Sequence, residues 1–274
     1  MCESPFVKIA LAGAGSVATH LGLALKQAGF SVSCVLNRSP ERGMLLAEKL
    51  DARYVNSFKA LDHPDLLIVA VSDDAIPALA GHLSGCSFPV VHTSGTVSKD
   101  VLSVVGSDYG VFYPLQTFSL ERFVDFSKVP ICIDSSNPLF TKRLDSLAHC
   151  ISDAVYQIAD QQRKILHLAA VFACNFSNYL YAIAADILKN NDIPFEMLLP
   201  LIQETANKIQ TTLPLDAQTG PARRGDVSTI QQHLLMLQNE PELLELYKLL
   251  TDNILHTYSQ HFSTSHFLSK DDLK

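Results

Sequence analysis

The chain has 274 residues, 47% hydrophobic and 18% charged, which marks a globular protein with a sizeable core and excludes a disordered one. That length fits one large domain or two ordinary ones. The formal net charge of −7 excludes a general nucleic-acid or anionic-membrane surface and leaves only a local basic pocket for a phosphate.

In chain order, MCESPF leads directly into a first apolar run, so no signal peptide is expected. Val7 to Ala12 reads as a strand, Gly13-Ala14-Gly15 as a turn, and Leu21, Leu25 and Ala28 as one stripe of a helix closed by Gly29. Strand, glycine turn, helix is the order that a dinucleotide pyrophosphate needs. Gly13 makes the tight turn, Gly15 lets backbone approach the phosphates, and Ala18 lets the helix pack close to the strand. Free N–H groups at the helix start then face the anion, so Gly13, Ala14, Gly15, Ser16 and Val17 are candidate cofactor contacts.

A second strand, Val32 to Leu36, ends at Asn37-Arg38-Ser39, with a helix from Pro40 to about Leu50. Leu66 to Val71 is a continuous apolar run, as in a strand covered on both faces, followed by a helix from about Ile76 to Leu83. Phe88 to His92, Val111 to Tyr113, Val129 to Ile133 and Ala154 to Ile158 read as further strands, with a helix from about Pro138 to Cys150. The alternation predicts an α/β fold with an open, mostly parallel, doubly wound sheet. Near Asp160 the character turns helical: Gln162 to Lys189, Phe195 to Thr212, Val227 to Gln238 and Pro241 to about Phe262, with a frayed tail from Ser263. Residues 1–158 are therefore expected to form a nucleotide-binding domain, and 159–274 a helical substrate and dimerisation domain. The apolar stretch Ile165 to Leu188 carries His167, Asn175, Ser177, Asn178 and Asp186 and reads as a buried helix of a soluble protein, not a membrane span.

Six cysteines, at 2, 34, 86, 132, 150 and 174, include no Cys-x-x-Cys pair. Reduced structural thiols in a cytoplasmic protein, and no metal, are the expectation. The second strand decides the nucleotide. An NAD-preferring site presents an acid there for the ribose 2′-hydroxyl. Here Asn37, Arg38 and Ser39, beginning 22 residues after Gly15, offer amide, guanidinium and hydroxyl donors to a 2′-phosphate, which points to NADP(H).

With GAGSVA at 13–18, NRS at 37–39, VSDDAI at 71–76, HTSGT at 92–96, YPLQTF at 113–118, HLAAVFACNF at 167–176 and GPARRGD at 220–226, the chain resembles one bacterial group nearly throughout. Its members join a Rossmann-like domain to a domain of unknown function numbered 2520. They are related to pyrroline-5-carboxylate reductase and the 6-phosphogluconate dehydrogenase superfamily. The resemblance implies NADP binding and a C-terminal domain of 6-phosphogluconate-dehydrogenase type, and it supplies no substrate. It also implies backbone contacts from Val71 and Ser72 beneath the nicotinamide ribose, and an oxyanion seat at Thr93-Ser94-Gly95. Gln116 comes with it as a residue bordering the reactive pocket.

His92 reads as a packed or capping histidine. His167 is the natural proton donor for a reductase, because histidine is the side chain that ordinarily titrates near neutrality. At roughly 100° per residue Cys174 and Asn178 share its stripe and Asn175, a second catalytic candidate, is turned aside by about 80°. Relatives that oxidise hydroxyacids place Lys with Asn four residues later on this helix. Here Val171 follows His167 and Leu168 follows Lys164 at that spacing, which argues against hydroxyacid oxidation. In the second half, Arg224 suits an anionic substrate group and Asp226 a helix cap. The sum is an NADP(H)-dependent oxidoreductase reducing a small carbonyl or imine compound, with room for an anionic part, in a cleft between the domains. It would work as a homodimer through the helical domain. A non-catalytic nucleotide-binding sensor is the alternative, and hydride exchange with a deazaflavin a third reading.

Overall fold

The computed structural model describes residues 6–268, with side chains to residue 259. The chain divides into two compact units meeting at Ala182 and Ile183. The change in sequence character at 158/159 falls earlier than this, because most of the long helical stretch belongs to the sheet's unit.

The first unit opens with β1 (Lys8–Ala12), α1 (Ser16–Gln27), β2 (Ser31–Leu36), α2 (Pro40–Lys49) and β3 (Arg53–Val55). It continues through β4 (Leu66–Val69), α3 (Ile76–His82), β5 (Val90–His92) and β6 (Tyr109–Pro114) to β7 (Ile131–Ser135), α4 (Pro138–His149) and β8 (Val155–Gln157). The eight strands form one sheet in the order β3-β2-β1-β4-β5-β6-β7-β8. All neighbours run parallel except β6 and β7, so this is a Rossmann-like sheet whose strand order reverses between β1 and β4. Ligands of such sheets sit beyond the strands' carboxyl ends at that reversal.

Burial explains the central strands. Every residue of Leu66–Val69 is fully buried, as its unbroken apolar run implies, and each such side chain contributes about 1.5–3 kcal/mol. Leu11, Leu66 and Ile68 pack on one face with Leu21 and Leu25 of α1, while Ala12, Leu67 and Val69 pack on the other with Ile76 and Ala80 of α3.

Beyond β8 the chain enters a long helical stretch: α5 (Asp160–Ala170), a π-helical segment (Val171–Phe176) and α6 (Ser177–Lys189). By length and composition this stretch is apolar enough to cross a membrane. The expected burial is not found within the chain, for Ile165, Leu168, Phe172, Phe176 and Tyr179 are all exposed. No surface among the described residues covers them. The π segment also corrects the helical phase, because its wider i→i+5 turns accommodate an extra residue and rotate the residues of α6 by roughly 100°. Asn178 therefore leaves the stripe of His167 on which regular spacing places it.

The second unit holds α7 (Leu199–Lys208), α8 (Pro214–Ala217), α9 (Pro221–Arg224), α10 (Val227–Met236) and α11 (Pro241–Leu268). Asp226 caps α10, accepting from the Thr229 amide at 3.2 Å. Helix α11 runs past the expected end at Phe262, and of the tail expected to fray, residues 269–274 lie outside those described. Cys34, Cys86, Cys132 and Cys174 are free thiols. Cys150 is disulfide-bonded, against the expectation of six reduced thiols. Residue 2 lies outside the described residues.

Candidate active site at the carboxyl edge of the sheet

The glycine turn after β1 has the geometry a nucleotide cradle requires. Gly13 has φ +116°, and a Cβ there would lie 2.1 Å from the Ala70 carbonyl oxygen, so only glycine lets β1 turn beside β4. Its amide donates to the Leu36 carbonyl at 2.8 Å, tying the turn to β2. A Cβ on Gly15 would meet nothing within 4 Å, so open space lies where a phosphate has to approach. No side chain caps α1, and its first N–H groups stay available to an anion. Ala14, Ser16 and Val17 flank them, Ala14 and Val17 half-buried and Ser16 at the helix start. At the end of β2 the Asn37 amide donates to the Ser39 carbonyl at 2.8 Å, and the Tyr54 hydroxyl donates to the Asn37 carbonyl at 3.2 Å. The rim is thereby fixed with Arg38 and Ser39 exposed on it. These donors and this space fit an NADP-type dinucleotide.

After β4, Val71 is half-buried against the core and Ser72 is exposed with no side-chain cap bond. Asp73 next to it accepts from the Thr96 hydroxyl at 2.5 Å, so the β4 loop is fastened to the loop after β5. That second loop is tightly bonded. Ser94 Oγ accepts from the amides of Thr96 at 3.1 Å and Val97 at 3.0 Å, and buried Thr93 donates to the Val69 carbonyl at 3.4 Å. Of the two hydroxyls expected to seat an oxyanion, that of Thr93 is thus engaged by β4 and that of Ser94 by its own loop. His92 is fully buried, accepts from the Ser94 amide through Nδ1 at 3.2 Å and faces the Ser98 carbonyl through Nε2 at 3.3 Å. Burial and then the nearby Arg163 charge push it down to about 4, so it is a neutral packed histidine.

Helix α5 brings His167 to this edge. Its Nδ1 lies 3.0 Å from the hydroxyl of Tyr113, which is 9% exposed near the end of β6. Burial pushes the Tyr113 phenol up to about 12, so it stays protonated. A Cβ on Gly95 would fall 2.6 Å from His167 Nδ1 and 2.9 Å from Tyr113 Cζ. Glycine is therefore what allows loop, imidazole and phenol to meet.

One turn before His167, Arg163 is fully buried. It donates through Nη2 to the Val97 carbonyl, and Nη1 lies 2.8 Å from Asp160 Oδ1. Nε has no hydrogen-bond partner among the described residues, and Nη1 meets Asp160 as a charge without hydrogen-bond alignment. Asp160 also accepts from the Ser98 hydroxyl and, at 3.1 Å, from the Lys99 amide. Burial raises the Asp160 carboxyl, but the bond from Ser98 and the adjacent Arg163 guanidinium outweigh it and hold the group below its ordinary value. This latch joins α5 to the loop that carries Gly95.

The structure therefore brings together Gly95, His167 and the loops holding Ser72, Thr93 and Ser94. It leaves others apart. Gln116 is exposed and its Oε1 accepts from the Thr117 amide at 2.8 Å. Asn175 is exposed on the π segment. Arg224 belongs to the second unit, mostly exposed, with Nη2 3.8 Å from Asp226 Oδ2. Tyr113 and Arg163 were not assigned from the sequence. Arg163 had one readable signal, its i, i+4 spacing from His167 on one helix face.

Residues 8–88 match the family model described as NADP oxidoreductase, coenzyme F420-dependent, and residues 129–254 match the domain of unknown function DUF2520. No curated protein matches. Among solved structures, BF3122 from Bacteroides fragilis, named as a candidate NADP oxidoreductase, is 41% identical with a TM-score of 0.86, covering 92% of this chain and 98% of that one. TM1727 from Thermotoga maritima is 21% identical with a TM-score of 0.70, covering 92% and 99%. An imine reductase from Myxococcus stipitatus, solved with NADP+, is 17% identical with a TM-score of 0.62, covering 94% and 95%, and shares the fold. On the likeness to BF3122 across nearly its whole length, this chain belongs to the NADP oxidoreductase family that joins such a nucleotide-binding domain to DUF2520.

Proposed function

We propose that the chain is an NADP(H)-dependent reductase of a small carbonyl or imine compound, with His167 as proton donor. The observation that carries this reading is the placement of His167 against Tyr113 and Gly95, beside the loop that Thr96 fastens to the cofactor-side Asp73. Bound NADPH supplies a hydride. This chain's residues supply the rest: the Gly13–Val17 turn and Asn37-Arg38-Ser39 hold the nucleotide, Val71 and Ser72 border its far end, and His167 discharges the heteroatom. Because the Thr93 hydroxyl is bonded to β4 and the Ser94 hydroxyl to Thr96 and Val97 of its own loop, the substrate contact they could offer is limited to the loop's backbone.

The test is NADPH oxidation across a panel of carbonyls and imines. Turnover supports the reading, whereas tight NADPH binding without turnover of any member supports a nucleotide sensor. Arg38 makes no ion pair or hydrogen bond among the described residues, so its guanidinium is available to a 2′-phosphate. Arg38→Ala is expected to weaken NADPH binding by roughly 30-fold, the equivalent of about 2 kcal/mol for a charge-assisted hydrogen bond, and to leave NADH binding nearly unchanged. Isothermal titration with both nucleotides checks it.

We also infer a homodimer. Ile165, Leu168, Phe172, Phe176 and Tyr179 are exposed large apolar side chains along one helical segment, and that much uncovered apolar surface calls for a partner. Asp160 and Arg163 tie the start of this segment to the sheet's unit, which fits a subunit interface better than a membrane span. Light scattering is expected to give twice the mass of the chain, and Phe172→Asp to shift it toward the single chain.

A further inference from the structure

We propose that Tyr113 is a positioning residue for the proton donor: its phenol holds Nδ1 of His167 and so leaves Nε2 to deliver the proton. The inference rests on reading His167 as the acid. The Tyr113 hydroxyl, 3.0 Å from Nδ1, has no other hydrogen-bond partner among the described residues. If it only accepted from an Nδ1–H, its own proton would be left unmatched in a nearly buried position. In the neutral ring the phenol therefore donates to Nδ1 and Nε2 carries the hydrogen. Nε2 makes no hydrogen bond among the described residues and is open to a reacting group.

The environment holds this arrangement from three sides. Gly95 has no side chain to part the two rings, since a Cβ would stand 2.6 Å from Nδ1. Tyr113 packs with Val111, Cys132 and Leu166, and Leu166 precedes His167 on α5. Behind His167, Arg163 and Asp160 fix the helix start to the loop of Ser98 and Lys99.

The step balances with the doubly protonated ring as acid. Hydride adds to the carbon of C=O or C=N, and the π pair moves onto the heteroatom. That atom forms a bond to the proton of Nε2 as the Nε2–H bond breaks. The imidazole is left neutral with its proton on Nδ1, where the Tyr113 oxygen accepts it, and water restores the proton. One hydroxyl thus serves both ring states, as acceptor from the charged ring and donor to the neutral one.

The test uses the full chain and Tyr113→Phe, which removes a single oxygen. With a substrate found in the panel, kcat is expected to fall at least 10-fold, on the scale of a misplaced catalytic group, with KM and NADPH affinity within about twofold. Nitrogen NMR of the histidine-labelled wild type, with the ring neutral and His167 assigned by loss of its signal in His167→Gln, is expected to show a hydrogen-bonded acceptor Nδ1. In Tyr113→Phe that signal moves to the unbonded position. A wild-type ring protonated on Nδ1, or a variant with kcat and spectrum unchanged, overturns the proposal. The spectrum needs no substrate, so it separates failure of Tyr113 to hold the ring from failure of the reductase reading. The wild-type spectrum alone decides the matter if the variant does not fold.

Discussion

His167→Gln is expected to lower kcat by roughly 10²–10⁴-fold while leaving NADPH affinity unchanged, because a positioned general acid contributes on that scale. Glutamine keeps a polar side chain of similar reach, and its amide oxygen can still accept from the Tyr113 hydroxyl. Its amide does not act as an acid, so proton delivery falls to water. The cofactor cradle proposed at Gly13 to Val17 and Asn37 to Ser39 lies on other elements than α5 and is not disturbed. Stopped-flow reduction with NADPH in excess checks the chemical step, and fluorescence titration checks binding. Full turnover in the variant would remove His167 from the mechanism. Equal losses of turnover and NADPH binding would instead mark a structural role.

What sequence could and could not disclose divides along physical lines. The turn after β1 was legible because a φ of +116° and a carbonyl 2.1 Å from the would-be Cβ permit one residue type, and the neighbouring strand's apolar run fixes where it sits. The NADP cofactor was legible from the missing acid at the end of β2, because that preference is a matter of charge at one strand end. β3 was missed, since three residues at the sheet edge, two of them not fully buried, give too short a pattern. The reversed direction of β7 was missed for a different reason: apolar runs show burial but carry no strand direction. The π segment leaves no mark in the residue types, so helical phase beyond Val171 is not readable from spacing. His167 stood out by its chemistry, whereas its partner Tyr113 lies 54 residues away in sequence and only the fold pairs them. The same holds for Thr93 and Ser94, whose hydroxyls look free in the sequence but are taken up by β4 and by the loop itself.

The buried charge pair supplies the second large effect. Asp160→Asn is expected to destabilise the protein by about 3–5 kcal/mol, since removing one partner strands an uncompensated buried guanidinium. The amide still accepts from Ser98 or Lys99, so what is lost is chiefly the charge that faces Arg163. Arg163 already lacks a partner at Nε and has one aligned bond, to the Val97 carbonyl, so little remains to compensate it. In a domain of this size the loss corresponds to a melting temperature lower by on the order of 10 °C. Adding Arg163→Met should return most of it, because an apolar side chain of similar volume needs no counter-charge. Linkage gives an independent signature. The Asp160 carboxyl is held below its ordinary value of 3.8, so its contribution is fully present above that value and is lost as pH falls through the lower, folded-state value. The stability gap between wild type and Asp160→Asn should therefore narrow in acid below about pH 4 and stay constant above it. Urea denaturation from neutral pH downward checks both. A gap independent of pH, or a double variant no more stable than Asp160→Asn, would mean that the pair does not hold α5 through its charge.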